Sequence, residues 1–167
     1  MLESDYIKDN ISLLHKLGHM PTLDLFSEDE LKGALQLSKI RKYDAGEIII
    51  EEGSFDCWIY FLVSGEVKIV KKDEDISILK RTGDVFGEMG IIDGSPRSAS
   101  VRAVSDTVCL ATDASYIDRL SGNEKITFCF ILYQIFAEML ANRLRLTTEE
   151  LIKLKEENKD LKDKKAL

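Results

Sequence analysis

The residues with the clearest chemistry lie in one stretch, Phe86-Gly87-Glu88-Met89-Gly90-Ile91-Ile92-Asp93-Gly94-Ser95-Pro96-Arg97-Ser98-Ala99-Ser100-Val101-Arg102-Ala103. Gly87 lets the backbone come close to an anion, and Glu88 to Ile92 is the length of one helical turn whose first amides face that anion. After a turn at Asp93 to Pro96, Arg97 opens a strand, where a planar guanidinium can hold two phosphate oxygens at once. Glu88 is the discriminating residue. A carboxylate beside an anion-binding turn weakens affinity unless it accepts a hydrogen bond from the ligand, and a ribose 2′-hydroxyl supplies one. One Arg balances the single charge of a cyclic phosphodiester, whereas AMP or ATP brings further charge against Glu88 and Asp93. There is no serine nucleophile with a base and no lysine behind the glycines, so neither a nucleophile elbow nor a Walker loop is present. The expectation is binding without turnover: no catalytic residues and no enzyme. The plainer alternative for Arg97 is an ion pair with Glu88 or Asp93.

Such a stretch needs a rigid frame. From Ile40 to about Thr112 the sequence runs in short β-rich segments, among them Ile48 to Ile50, Trp58 to Val63, Val67 to Val70 and Ile76 to Leu79. Turn signals separate them at Asp44-Ala45-Gly46, Gly53-Ser54, Ser64-Gly65, Thr82-Gly83-Asp84 and Asp93-Gly94-Ser95-Pro96. Ala99, Val101 and Ala103 alternate with Ser98, Ser100 and Arg102, which predicts a strand over Ser98 to Val104 with one face inward. The fold class expected is mainly β with flanking helices: an antiparallel β-barrel or double-stranded jelly roll. Upstream, Ile7, Ile11, Leu14 and Leu17 recur at helical spacing from Ser4 onward, and Ser27 with Glu30 forms a capping box for a second helix through Leu31, Ala34 and Leu35. Downstream, no Gly or Pro follows Gly122, and a long helix is expected. Its heptads place Ala137, Leu144, Leu151 and Asn158 at a and Leu140, Thr147, Leu154 and Leu161 at d, which predicts a parallel homodimeric coiled coil. The division is therefore an N-terminal helical segment (1–38), a β-barrel core (39–112) and C-terminal helices with a dimer helix (113–167).

With these residues on the page, the chain resembles the cyclic nucleotide-binding domain family, whose phosphate-binding cassette has the same Phe-Gly-Glu start, short helix and Arg-Ser/Thr-Ala strand. Tyr43-Asp44-Ala45-Gly46-Glu47-Ile48-Ile49 and Phe61-Leu62-Val63-Ser64-Gly65-Glu66-Val67 look like the family's first hairpins, so the resemblance covers roughly residues 23 to 148. It implies a ligand-binding set of Phe86, Gly87, Glu88, Met89, Arg97, Ser98 and Ala99, with the Gly87 and Glu88 backbone on phosphate and the Glu88 carboxylate on ribose. In catabolite-activator-like members the helix after the barrel dimerises and offers two adjacent hydroxyl residues to adenine; Thr147 and Thr148 look like that pair, which implies cAMP as the ligand. Ser98 could equally serve cGMP, and hydroxyls on a helix also bond their own backbone. Those regulators continue into a DNA-reading helix-turn-helix, whereas this sequence ends at Leu167, so direct DNA binding is not expected and the signal passes to a separate, unidentified protein.

The composition agrees. A length of 167 residues with 44% hydrophobic and 32% charged residues suits one soluble domain with an appendage. A net charge of −7 argues against nucleic acid and anionic membranes, and no apolar run reaches membrane-helix length, so a cytoplasmic location is expected. Cys57, Cys109 and Cys129 read as buried reduced thiols. His15 and His19 stand four apart without a third ligand, so no metal site is expected. Trp58 and Phe61 read as core, and Phe128, Phe130, Tyr133 and Phe136 either cap the purine or pack on the barrel, packing being the simpler reading. The reading from a different class is a ligand-free dimeric scaffold on the same fold.

Overall fold

The computed structural model describes residues 2–4 and 38–165. In chain order the strands are β1 (Leu2–Ser4), β2 (Ser38–Tyr43), β3 (Ile48–Ile50), β4 (Trp58–Ser64), β5 (Val67–Lys71), β6 (Glu74–Leu79), β7 (Val85–Phe86), β8 (Ser100–Ala103) and β9 (Thr107–Asp113). Helix α1 (Met89–Asp93) interrupts β7 and β8, and a 3-10 turn (Ala114–Arg119) leads into helix α2 (Gly122–Lys165). The strands form two antiparallel sheets, a five-stranded one ordered β1-β2-β9-β4-β7 and a four-stranded one ordered β3-β8-β5-β6. The arrangement agrees with the jelly roll but not with a closed barrel, because the sheets do not pair into one ring among the described residues.

Why these residues form these strands is legible in the side chains. Strand β4, Trp-Ile-Tyr-Phe-Leu-Val, is aromatic and β-branched, and Ile59 to Val63 are all buried, as a central strand requires. It pairs with β9 (Tyr60↔Ala111, Leu62↔Cys109) and with β7 (Tyr60↔Phe86). Lys72 and Asp73 both take positive φ, 52° and 64°, matching the twist of the tight β5–β6 hairpin. Between the sheets, Tyr43, Ile50, Tyr60, Leu62, Val67, Phe86, Val101, Ala103, Cys109 and Ala111 pack into one core. Burial of these aliphatic and aromatic side chains is the main force holding the sandwich, at about 1.5–3 kcal/mol for each large one. In β8, Val101 and Ala103 are buried while Arg102 is exposed, the alternation expected.

Three expectations need correction. Ser4 ends strand β1, opposite Ile40 of β2, instead of opening a helix; the other residues read as N-terminal helices, with the capping box and both histidines, lie outside the described residues. Cys57 is exposed because it sits in the loop before β4, whereas Cys109 is buried in the core and burial pushes its thiol up to about 12. Of the late aromatics, Phe136 is buried and meets Tyr133 edge-on at 6.3 Å, but Phe130 is 68% exposed.

The chain forms two compact units, Met1–Ile131 and Leu132–Leu167. Within the second, Leu132, Ile135 and Phe136 are buried, while Leu144, Leu151, Leu154 and Leu161 are each more than half exposed. No described helix is long and apolar enough to cross a membrane.

Candidate functional site

The expected cassette is built where β7 leaves the five-stranded sheet. Phe86 is buried in the core and stacked on Tyr60, ring centroids 5.2 Å apart and planes 4° from parallel, which anchors the start of the turn. Gly87 then takes φ +86°, a conformation L side chains rarely adopt. A Cβ there would lie 2.9 Å from Arg97 Nη1 and 3.0 Å from the Trp58 carbonyl oxygen, so no side chain fits. Glu88, only 2% exposed, caps α1, and its carbonyl accepts from the amides of Ile91 and Ile92, each at 3.0 Å. Gly94, in left-handed conformation, ends the helix.

Arg97 turns inward. It is 4% exposed and its guanidinium makes four hydrogen bonds. Nε donates to Asp56 Oδ2 at 3.1 Å, Nη2 donates to Asp56 Oδ1 and to the Trp58 carbonyl (2.5 Å), and Nη1 donates to the Gly87 carbonyl. Backbone bonds run alongside, from the Gly53 amide to the Arg97 carbonyl (2.8 Å) and from the Arg97 amide to the Ser54 carbonyl (2.9 Å). Arg97 thus ties the cassette to the β3–β4 loop and to the first residue of β4. The ion pair anticipated with Glu88 or Asp93 is made with Asp56 instead. Burial pushes Asp56 up, but hydrogen bonds from Arg97 and the Trp58 amide, with the charges of Arg97 and Arg41, outweigh it and hold the carboxyl below its ordinary range. A guanidinium with four of its five N–H groups engaged in this way grips a phosphate with two bonds only if one of its present acceptors is exchanged.

The other expected residues are placed as follows. Ser98 and Ala99 are half-buried beside Arg97, and Ser98 Oγ lies 3.5 Å from Met89 Sδ. Met89 is 48% exposed. Gly87, Glu88, Met89, Arg97, Ser98 and Ala99 are thus brought together in one region of the first unit. Thr147 and Thr148 lie in the second unit, both exposed, and Thr148 Oγ1 donates to the Leu144 carbonyl at 2.7 Å, the self-bonding weighed for it from the sequence.

Sequence reasoning missed Asp56 and Arg41, and it read Trp58 only as core. The Arg41 guanidinium stacks 4.0 Å over the Trp58 ring and donates from Nη1 to Tyr60 Oη at 2.9 Å. Trp58 is therefore a hub: its amide donates to Asp56 (2.9 Å), its carbonyl accepts from Arg97 and its indole carries Arg41. The available signal was an Asp two residues before the chain's single Trp, at the mouth of a strand that is apolar up to its last residue.

Three comparisons bear on this geometry. The sequence profile described as cyclic nucleotide-binding domain matches residues 40–124. The cAMP-dependent protein kinase regulatory subunit of Schizosaccharomyces pombe is 30% identical over 112 residues, covering 67% of this chain and 26% of that protein. The cGMP-dependent protein kinase of Eimeria tenella is 32% identical over 84 residues, covering 50% of this chain and 8% of that protein. Among solved structures, the catabolite activator protein of Thermus thermophilus superposes with a TM-score of 0.63 at 29% identity, covering 80% of this chain and 62% of that one. The chain spans about a quarter or less of the length of these two curated relatives.

Proposed function

Because the chain belongs to the cyclic nucleotide-binding domain family, we propose that it is a cytoplasmic sensor that binds cAMP at the Gly87–Ala99 cassette, without turning it over, and signals through a C-terminal dimer helix. The observation that carries the reading is the approach of Arg97 to Gly87: a buried guanidinium against the carbonyl of a glycine whose position admits no side chain. A fixed cation packed directly against glycine backbone is an arrangement suited to an oxyanion. The Glu88 carboxylate takes the ribose hydroxyl, and Ser98 and Ala99 complete the phosphate contacts. Adenine is assigned to Thr147 and Thr148; cGMP is the alternative, supported by the Ser98 hydroxyl and by the relative described as a cGMP-dependent kinase.

The dimer is supported by the exposure of Leu144, Leu151, Leu154 and Leu161 at a and d positions. Glu150 at g meets Lys155 at e in a parallel pair, which adds charge complementarity. The net charge of −7 favours a protein rather than DNA as the downstream partner.

One observation favours a second reading, a ligand-free dimeric scaffold: Arg97 already has acceptors for four of its hydrogen bonds. Calorimetric titration of cAMP, cGMP and 5′-AMP into protein unfolded and refolded to strip bound nucleotide separates the two. Micromolar or tighter binding of cAMP, with no heat from 5′-AMP and at least a tenfold loss in Arg97→Ala, is the expected result. Silence from both cyclic nucleotides establishes the scaffold instead.

A further inference from the structure

We propose that Arg41 is a second cationic residue of the ligand site: when a phosphodiester claims the Arg97 guanidinium, the Asp56 carboxylate passes from Arg97 to Arg41. The inference rests on the cyclic-nucleotide reading above and adds a residue and a movement to it.

The four acceptor atoms around Arg97 belong to three groups that differ in how easily they yield. The Trp58 carbonyl belongs to strand β4 and the Gly87 carbonyl follows directly on β7, so both are main-chain groups that turn only with the backbone that carries them. Both remaining bonds end on the Asp56 carboxylate, a side chain on the β3–β4 loop that is 31% exposed and turns about its own torsions. A phosphate that takes two bonds from Arg97 therefore does so at the expense of Asp56. The displaced carboxylate, still ionised, is drawn toward the next cation within reach.

Arg41 is placed to receive it. Its guanidinium lies 4.0 Å over the Trp58 ring, and the Trp58 amide is the group that Asp56 Oδ1 already holds at 2.9 Å. A rotation about the Asp56 side chain can exchange one guanidinium for the other while the bond to the Trp58 amide persists. The charge of Arg41 already acts on Asp56, helping to keep it ionised alongside the larger contribution of Arg97. Charge is conserved throughout: Arg97 with Asp56 before, Arg97 with phosphate and Arg41 with Asp56 after. A monoanion is thereby admitted without leaving a buried charge unpaired.

The test is a mutant cycle on the full chain, read by cAMP calorimetry and by the fluorescence of Trp58, the single tryptophan, with thermal stability of the ligand-free protein followed in parallel. Arg41→Gln is expected to weaken cAMP about tenfold, Arg41→Lys to recover most of that, and Asp56→Asn to bind cAMP more tightly than the wild type because no carboxylate competes. In the Asp56→Asn background, Arg41→Gln should change affinity less than about twofold. A loss at Arg41 that is the same in both backgrounds marks a structural role and overturns the proposal. So does weaker binding by Asp56→Asn, which would make Asp56 a brace and is readable even if Arg41→Gln does not fold. Absence of cAMP binding by the wild type overturns the functional reading together with this one, whereas wild-type binding with an unaffected Arg41→Gln overturns the handover alone.

Discussion

Replacing Gly87 with Ala asks how much of the cassette depends on backbone that only glycine can supply. Two penalties combine. The positive φ of +86° disfavours any L residue by about 1–2 kcal/mol. The new methyl would also sit 2.9 Å from Arg97 Nη1, 3.0 Å from the Trp58 carbonyl and 3.1 Å from Ile50 Cδ1. Two of these neighbours are a strand carbonyl and a guanidinium held by four bonds, so neither gives way easily; overpacking of this kind costs about 1–3 kcal/mol. The sum, about 2–5 kcal/mol, corresponds to roughly 7–14 °C in Tm at its middle value. Gly94 is the internal control. It too has positive φ, +68°, but nothing lies within 4 Å of the position its Cβ would take, so Gly94→Ala should lose only the first penalty, about 1–2 kcal/mol. Urea unfolding of the wild type and both variants, monitored by Trp58 fluorescence, gives the comparison. Equal losses at the two positions, or a loss at Gly87 below about 1 kcal/mol, would refute the close approach of Arg97 to the turn. Where Gly87→Ala remains folded, its cAMP affinity should fall more than tenfold, because the methyl displaces the guanidinium.

The ion pair predicts a pH dependence. Asp56 is held below its ordinary value in the folded chain, so the unfolded chain takes up the proton first; the stability from this pair is present above about pH 4, the ordinary range of Asp, and is lost as pH falls through the lower folded value. Unfolding midpoints between pH 7 and pH 3 should fall less steeply in Asp56→Asn than in the wild type. Thiol labelling near pH 8 should modify exposed Cys57 rapidly, while Cys109, buried and with its thiol pushed up to about 12, should react only on unfolding. Sedimentation should report a dimer that Leu151→Lys with Leu154→Lys converts to monomer, given that both leucines are more than half exposed on α2; a wild-type monomer would remove the coiled coil from the functional reading.

Much of this molecule is decided locally and so is legible in its sequence. The strands over Ile48–Ile50 and Trp58–Ser64, the one-turn helix after Gly87 and the unbroken helix from Gly122 follow from periodicity, glycine placement and the absence of breakers, all properties of neighbouring residues. The cassette belongs to the same class, because Gly87 and Arg97 stand ten residues apart on either side of one short helix. The partner of Arg97 does not. Asp56 lies 41 residues earlier in a loop that reads as an ordinary polar turn, and Arg41 sits on β2, a strand apart again. Nothing in the alternation of apolar and polar residues states which loop will supply acceptors to a buried guanidinium. A buried cation takes its counter-ion from whatever the packed sheets bring within hydrogen-bond reach. The same holds for Cys57, whose apolar neighbour suggested burial until the start of β4 left it on the surface. The residue types and their spacing determined that Gly87 and Arg97 would lie either side of one short helical turn; the pairing and packing of distant strands decided that Asp56 occupies Arg97 there and that Arg41 stands beside them on Trp58, because those contacts exist only once the strands are assembled.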